Sequence, residues 1–139
     1  MYKENLIRES INECCFLDLK KPSQKYLRFD AYDSNYIIEI KARKRFYQKQ
    51  IIEFSKFSFN SCYAKLYAKK FVYAVYINSD IYIFNISNLE KNNYDFKWEW
   101  KEQPITTNFT NNDKILKFVG YINLKDSVKK IEIKDCKDY

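Results

Sequence analysis

Between Arg28 and Arg43 the sequence alternates apolar and polar residues on both sides of Asp33-Ser34-Asn35. Two period-two runs around a short polar turn specify a β-hairpin. With Ser34 and Asn35 as the loop, Asp33 pairs with Tyr36, Tyr32 with Ile37, Ala31 with Ile38 and Asp30 with Glu39. Side chains alternate along a strand, so Asp30, Glu39 and Lys41 share one face. Phe29, Ala31, Ile38, Ile40 and Ala42 take the other.

The Asp30–Glu39 pairing needs an explanation. Carboxylates directly opposite on two strands have Cβ atoms about 5 Å apart, and like charges there destabilise. A bound cation, a lysine or a raised pKa would offset the repulsion. Lys41 lies two residues beyond Glu39, about 7 Å along the same face. Two acids and a lysine on one face can hold a divalent metal and set a proton acceptor or a cation beside it. The same pattern also fits the wet face of a half-buried hairpin, where a Glu–Lys pair contributes little.

What the chain lacks narrows the chemistry. It has no histidine, which excludes Ser-His-Asp and Cys-His catalysis as usually built, and histidine-based zinc sites. Its one glycine, Gly120, excludes a Walker loop and a dinucleotide fingerprint, which need glycines where backbone meets phosphate. Catalysis would rest on carboxylate, lysine or hydroxyl groups, or on a metal held by oxygen, which favours Mg²⁺, Mn²⁺ or Ca²⁺. Cys14, Cys15, Cys62 and Cys136 form no C-x-x-C pair and read as reduced thiols.

The 139 residues suffice for one core, and residues 1–139 read as a single domain. No apolar run reaches the roughly 20 residues that span a bilayer, and Met1–Asn5 lacks a signal-like core. A soluble, cytoplasmic protein is expected. The net charge of +7 suits a polyanionic partner, nucleic acid first, although richness in Lys, Asn, Ile, Tyr and Phe also fits an AT-rich coding bias.

Along the chain, residues 3–17 read as a helix with Leu6, Ile7, Ile11, Cys14 and Cys15 on one stripe. Five of the ten residues from Lys41 to Gln50 are basic and none is acidic, with Phe46 and Tyr47 among them. Such a run suits phosphates and stacked bases, or a solvated loop or helix start. Gln50–Lys70 reads as helix. Phe71–Ile77 and Ile81–Ile86 form a second hairpin, apolar enough to be covered on both faces. Asn88–Asn93 reads as loop, Tyr94–Trp100 as strand ended by Pro104, Lys117–Leu124 as a late strand, and 126–133 as helix or strand. Residues 134–139 read as a polar tail. The order implies an α/β fold around a mixed sheet.

Asp30, followed by Glu39-Ile40-Lys41 on the next strand, resembles the signature of the PD-(D/E)XK nuclease superfamily. The string Tyr36–Arg43 is similar to that of small phage-type and Holliday-junction-resolvase-like members. Phe29 stands where the family often has proline, and Asp33 is an alternative to Asp30 as the acid. The resemblance implies a restriction-endonuclease-like core and hydrolysis of phosphodiester bonds in DNA, branched DNA included. It implies Mg²⁺ or Mn²⁺ on Asp30, Glu39 and the Ile40 carbonyl, with Lys41 orienting or activating the attacking water or stabilising the phosphorane-like charge. Glu4 on the first helix would complete the site, with Glu9 the alternative. Arg43, Lys44, Arg45 and Lys56 would contact phosphates, and a homodimer would follow from the resolvase likeness. A nucleic-acid-binding module without catalysis, or a basic surface for an acidic protein, are the competing readings.

Overall fold

The structure is a computed structural model that describes residues 2–15, 17–104 and 113–133. Helix α1 (Tyr2–Cys15) leads into strands β1 (Ala31–Tyr32), β2 (Tyr36–Ala42) and β3 (Lys49–Glu53). Helix α2 (Phe54–Leu66), strands β4 (Lys70–Ile77) and β5 (Asp80–Asn85) and helix α3 (Ile86–Lys91) follow. Strands β6 (Glu99–Pro104), β7 (Lys114–Asn123) and β8 (Lys129–Glu132) complete the described chain. Among the described residues no helix is long and apolar enough to cross a membrane.

The main sheet has the order β1-β2-β4-β5-β8. Its β2–β4 pair is parallel and the others are antiparallel. A parallel pair needs a crossover, and β3 with α2 supply it. The first hairpin has the register expected from its turn, Ala31 opposite Ile38 and Tyr32 opposite Ile37. The second closes on Asn78 and Ser79, with φ of 51° and 68°. Two successive residues at positive φ match the right-handed twist of a tight hairpin.

Both faces of this sheet are buried. Ile7 and Ile11 of α1 pack with Ala31, Ile38, Ile40, Val72 and Ala74. Phe57 and Ala64 of α2 pack with Ile37, Phe71, Tyr73 and Val75 on the opposite face. Phe29 joins this second group rather than Ala31 and Ile38, because regular pairing of β1 begins only at Ala31 and the alternation does not extend back to it.

A second sheet, β3-β7-β6, is antiparallel throughout. It corrects the helix expected from Gln50, since Lys49–Glu53 forms a strand on Lys49–Asn123 pairings across β7. That partner lies some seventy residues away in sequence, so local periodicity carries no sign of it. Asn88–Asn93 is likewise corrected: Asn85 caps α3 by accepting the Asn88 N–H at 3.1 Å, and the helix runs to Lys91. In the expected strand Tyr94–Trp100 only the last two residues are in β6. Cys14 is disulfide-bonded, against the expectation of reduced thiols, whereas Cys15 and Cys62 are free. The polar tail expected at residues 134–139 lies outside the described residues.

Candidate active site

Glu39 is on β2 directly opposite Tyr73 of β4, on the face that α2 covers. It is 3% exposed. A carboxylate enclosed this way loses its hydration, and burial pushes its pKa from 4.5 up to about 7. Lys56, from the first turns of α2, opposes that rise with its Nζ 3.8 Å from Glu39 Oε2, and Lys41 assists. The other carboxylate oxygen, Oε1, is buried with no hydrogen-bond partner.

Asp30 reaches the same place from the residue before β1. Its N–H donates to the Ile38 carbonyl at 2.8 Å although Ala31 is the partner of Ile38, so the strand bulges at Asp30 and the expected direct Asp30–Glu39 pairing gives way to proximity across an irregular strand end. Asp30 Oδ2 accepts the Ile40 N–H at 2.7 Å. In a strand the N–H and C=O of one residue point to the same side, so the Ile40 carbonyl also faces this open edge beside Asp30. Burial raises the Asp30 pKa, against the Ile40 hydrogen bond and the charges of Lys41 and Lys56. Asp33 is employed elsewhere: its Oδ1 accepts the N–H groups of Asn35 and Tyr36, both at 2.8 Å. It builds the turn that fixes the register.

Lys41 and Lys56 adjoin each other, and each shifts the pKa of the other. Burial, then the positive charge of Lys56, hold Lys41 below the ordinary lysine pKa. For Lys56 burial works against the charge, but Glu39, the contact with Lys41, Glu53 and Asp30 together outweigh it and raise the pKa. Of the two, Lys41 is thus the one that gives up its proton more readily.

Glu4 lies on the inward stripe of α1, three residues before Ile7. Burial first, and the charge of Asp30 second, raise its pKa. Glu9 is exposed. The structure thus brings Asp30, Glu39, Lys41, Lys56 and Glu4 together electrostatically, and leaves Asp33 and Glu9 outside. Lys56 belongs to this acidic cluster rather than to an outer basic surface. Arg43 is turned inward, its Nη2 donating to the Ile51 carbonyl at 3.2 Å and to the Tyr73 hydroxyl at 3.3 Å. Lys44 and Arg45 are exposed.

Two contributors were not legible in the sequence. Glu53 at the end of β3 acts on both Glu39 and Lys56 and pairs with Lys117 at 3.5 Å. Reading this stretch as helix concealed it. Asn60, fully buried on α2, donates its Nδ2 to the Arg28 carbonyl at 3.2 Å, two residues before Asp30. It follows Lys56 by four residues, the spacing that places two side chains on one helix face.

The donor set fits a small divalent cation. Among the described residues no three His, Cys, Asp or Glu groups form a metal cage. Mg²⁺, however, keeps several waters and is commonly held by one or two carboxylates. The orphaned Glu39 Oε1, the second oxygen of Asp30 and the edge-facing Ile40 carbonyl meet that need with oxygen alone.

No family model matches the chain, and no curated protein matches it by sequence. Among solved structures the chain is similar to Hjc of Archaeoglobus fulgidus, a Holliday junction resolvase from an archaeal hyperthermophile. The two share 12% sequence identity and a TM-score of 0.50, over 96% of each chain. The chain has the restriction-endonuclease-like fold that the Asp30 and Glu39-Ile40-Lys41 resemblance implied: a mixed sheet flanked by helices.

Proposed function

We propose that the chain is a metal-dependent nuclease that hydrolyses phosphodiester bonds in DNA, with branched DNA such as a four-way junction as its substrate. The observation that carries this reading is the buried Glu39, with one unpartnered carboxylate oxygen, beside the half-buried Asp30 and Lys41. A fold shared with a Holliday junction resolvase supports the choice of substrate. A charge of +7 supports a polyanionic partner.

Asp30, Glu39 and the Ile40 carbonyl would hold Mg²⁺ or Mn²⁺, which when bound lowers the pKa of water and neutralises charge on the phosphate. Ile40 fixes the Asp30 carboxylate through its N–H. Lys41 Nζ, in its uncharged form, would accept the proton of a water as that water bonds to phosphorus and the P–O bond to the leaving sugar oxygen breaks. Lys56 favours the ionised form of Glu39 against the effect of burial. Glu4 borders the site from α1, where the charge of Asp30 helps raise its pKa. A homodimer would present two such sites to the two strands of a junction.

The test is cleavage of a synthetic four-way junction and of a matched duplex, with Mg²⁺ or Mn²⁺ and with a chelator. The wild type should cut only with metal, and Glu39→Ala and Lys41→Ala should fall to background. Equal cutting by these variants would refute the assignment. Salt-sensitive binding to the same DNA without metal-dependent cutting would favour a non-catalytic binding module on this fold.

A further inference from the structure

Residues 43–48 join β2 to β3 without regular structure, yet they are anchored at both ends. The Arg43 N–H donates to the Tyr76 carbonyl at 2.9 Å, and its guanidinium is held by Ile51 and Tyr73. Gln50, 2% exposed, turns its Nε2 back onto the Tyr47 carbonyl at 2.6 Å. The Gln48 carbonyl accepts the Leu124 N–H at 2.8 Å, and Gln48 Nε2 donates to Asn123 Oδ1 at 2.8 Å. Between these anchors Lys44, Arg45, Phe46 and Tyr47 all project into solvent. Phe46 is 50% exposed and Tyr47 58%.

This arrangement does little for the fold. Aromatic side chains stabilise a protein by leaving water, and these two stay in it. A buried glutamine amide is committed to holding the backbone that presents them. The loop begins two residues after Lys41, at the end of the strand that carries Glu39. No acid interrupts Lys41–Gln50. Cations beside exposed rings match a nucleic-acid strand whose bases offer a free π-face. Continuous duplex keeps those faces stacked on one another, whereas a branch point or a single-stranded end exposes them.

We propose that Phe46 and Tyr47 stack on unpaired or unstacked bases next to the cut position, while Lys44 and Arg45 meet the flanking phosphates. The loop then selects branched or locally single-stranded DNA over continuous duplex. The inference rests on the nuclease reading of the Asp30–Glu39 site for its location, and its test reads binding rather than cutting.

Labelled four-way junction, single strand and duplex of matched sequence are titrated in chelator, with 2-aminopurine at the branch. The wild type should prefer the junction and the single strand. The double variant F46A/Y47A should lose about tenfold or more of that affinity, change little on duplex, and lose the 2-aminopurine response. F46L/Y47L should behave the same, because leucine is apolar but offers no π-face. K44A/R45A should weaken all three substrates alike and lower the log–log salt slope by close to 2. Equal loss on duplex and junction in F46A/Y47A, or none on either, would overturn the inference. So would a shift in oligomeric state with unchanged substrate preference, which would make the rings a contact between copies. Failure of the nuclease reading is distinct: the wild type would keep its preference and cut nothing with Mg²⁺.

Discussion

Lys56 Nζ stands 3.8 Å from Glu39 Oε2, while Glu39 Oε1 is buried without a partner. One half of a buried carboxylate is thus compensated and the other is not. A folded protein tolerates such a group at a cost, since an unmet buried acceptor loses its hydration without replacement. A cation at Oε1 would remove that cost.

Glu39 should therefore lower stability in the absence of metal, and the effect should depend on pH. It binds its proton more tightly folded, at about 7, than at the ordinary value of 4.5. The stability that its protonated form contributes is complete below pH 4.5 and is lost as pH rises through 7. The loss is on the order of 3 kcal/mol. Glu39→Gln imitates the protonated form. Urea unfolding in chelator should find it about 2–3 kcal/mol more stable than wild type at pH 8 and no more stable at pH 4.

Lys56 tunes Lys41. Replacing it by methionine removes a neighbouring positive charge that helps hold the Lys41 pKa down. The amine of Lys41 should then stay protonated to higher pH. In the pH profile of DNA cleavage, the acidic limb of Lys56→Met should move to higher pH, whereas loss of phosphate binding alone would lower the rate without moving the limb.

The hairpin was legible in the sequence because its information is local. Asp33 builds the turn with its own carboxylate, and the turn sets the register as far as Ala31 and Ile38; the bulge that then brings the Asp30 carboxylate to the Ile40 N–H was not legible. The resemblance already points to Glu4 ahead of Glu9; the packing of Ile7 and Ile11 on the sheet, with Glu9 left exposed, is what only the fold supplies. Glu53 and Lys117 meet through the β3–β7 pairing, and nothing near either residue announces it. Arg43 was read with its basic neighbours, but its backbone partner Tyr76 turns the residue inward where composition alone points it outward.

Asn60 should position Asp30 rather than touch substrate. Asn60→Ala deletes the bond to the Arg28 carbonyl and should destabilise the protein by about 1–3 kcal/mol. It should also weaken Mn²⁺ binding measured by calorimetry at a temperature where the variant is fully folded. Unchanged Mn²⁺ affinity would limit Asn60 to a structural role.

Gly120 should resist substitution because of space. A Cβ there would lie 2.8 Å from the Trp98 ring and 3.0 Å from Phe96 Cβ. Trp98 is itself packed against Phe57, Phe96 and Phe118 at centroid distances of 5.0, 5.3 and 5.9 Å. Gly120→Ala should cost about 1–3 kcal/mol, as overpacked cores do, and alter the tryptophan emission of the folded state.

Manganese in the crystal tests the central claim most directly. Wild-type crystals soaked in Mn²⁺ should give an anomalous peak between the carboxylates of Asp30 and Glu39, and crystals of Asp30→Asn should lack it. A wild-type site without manganese at millimolar concentration, or a peak that persists in Asp30→Asn, would contradict the account.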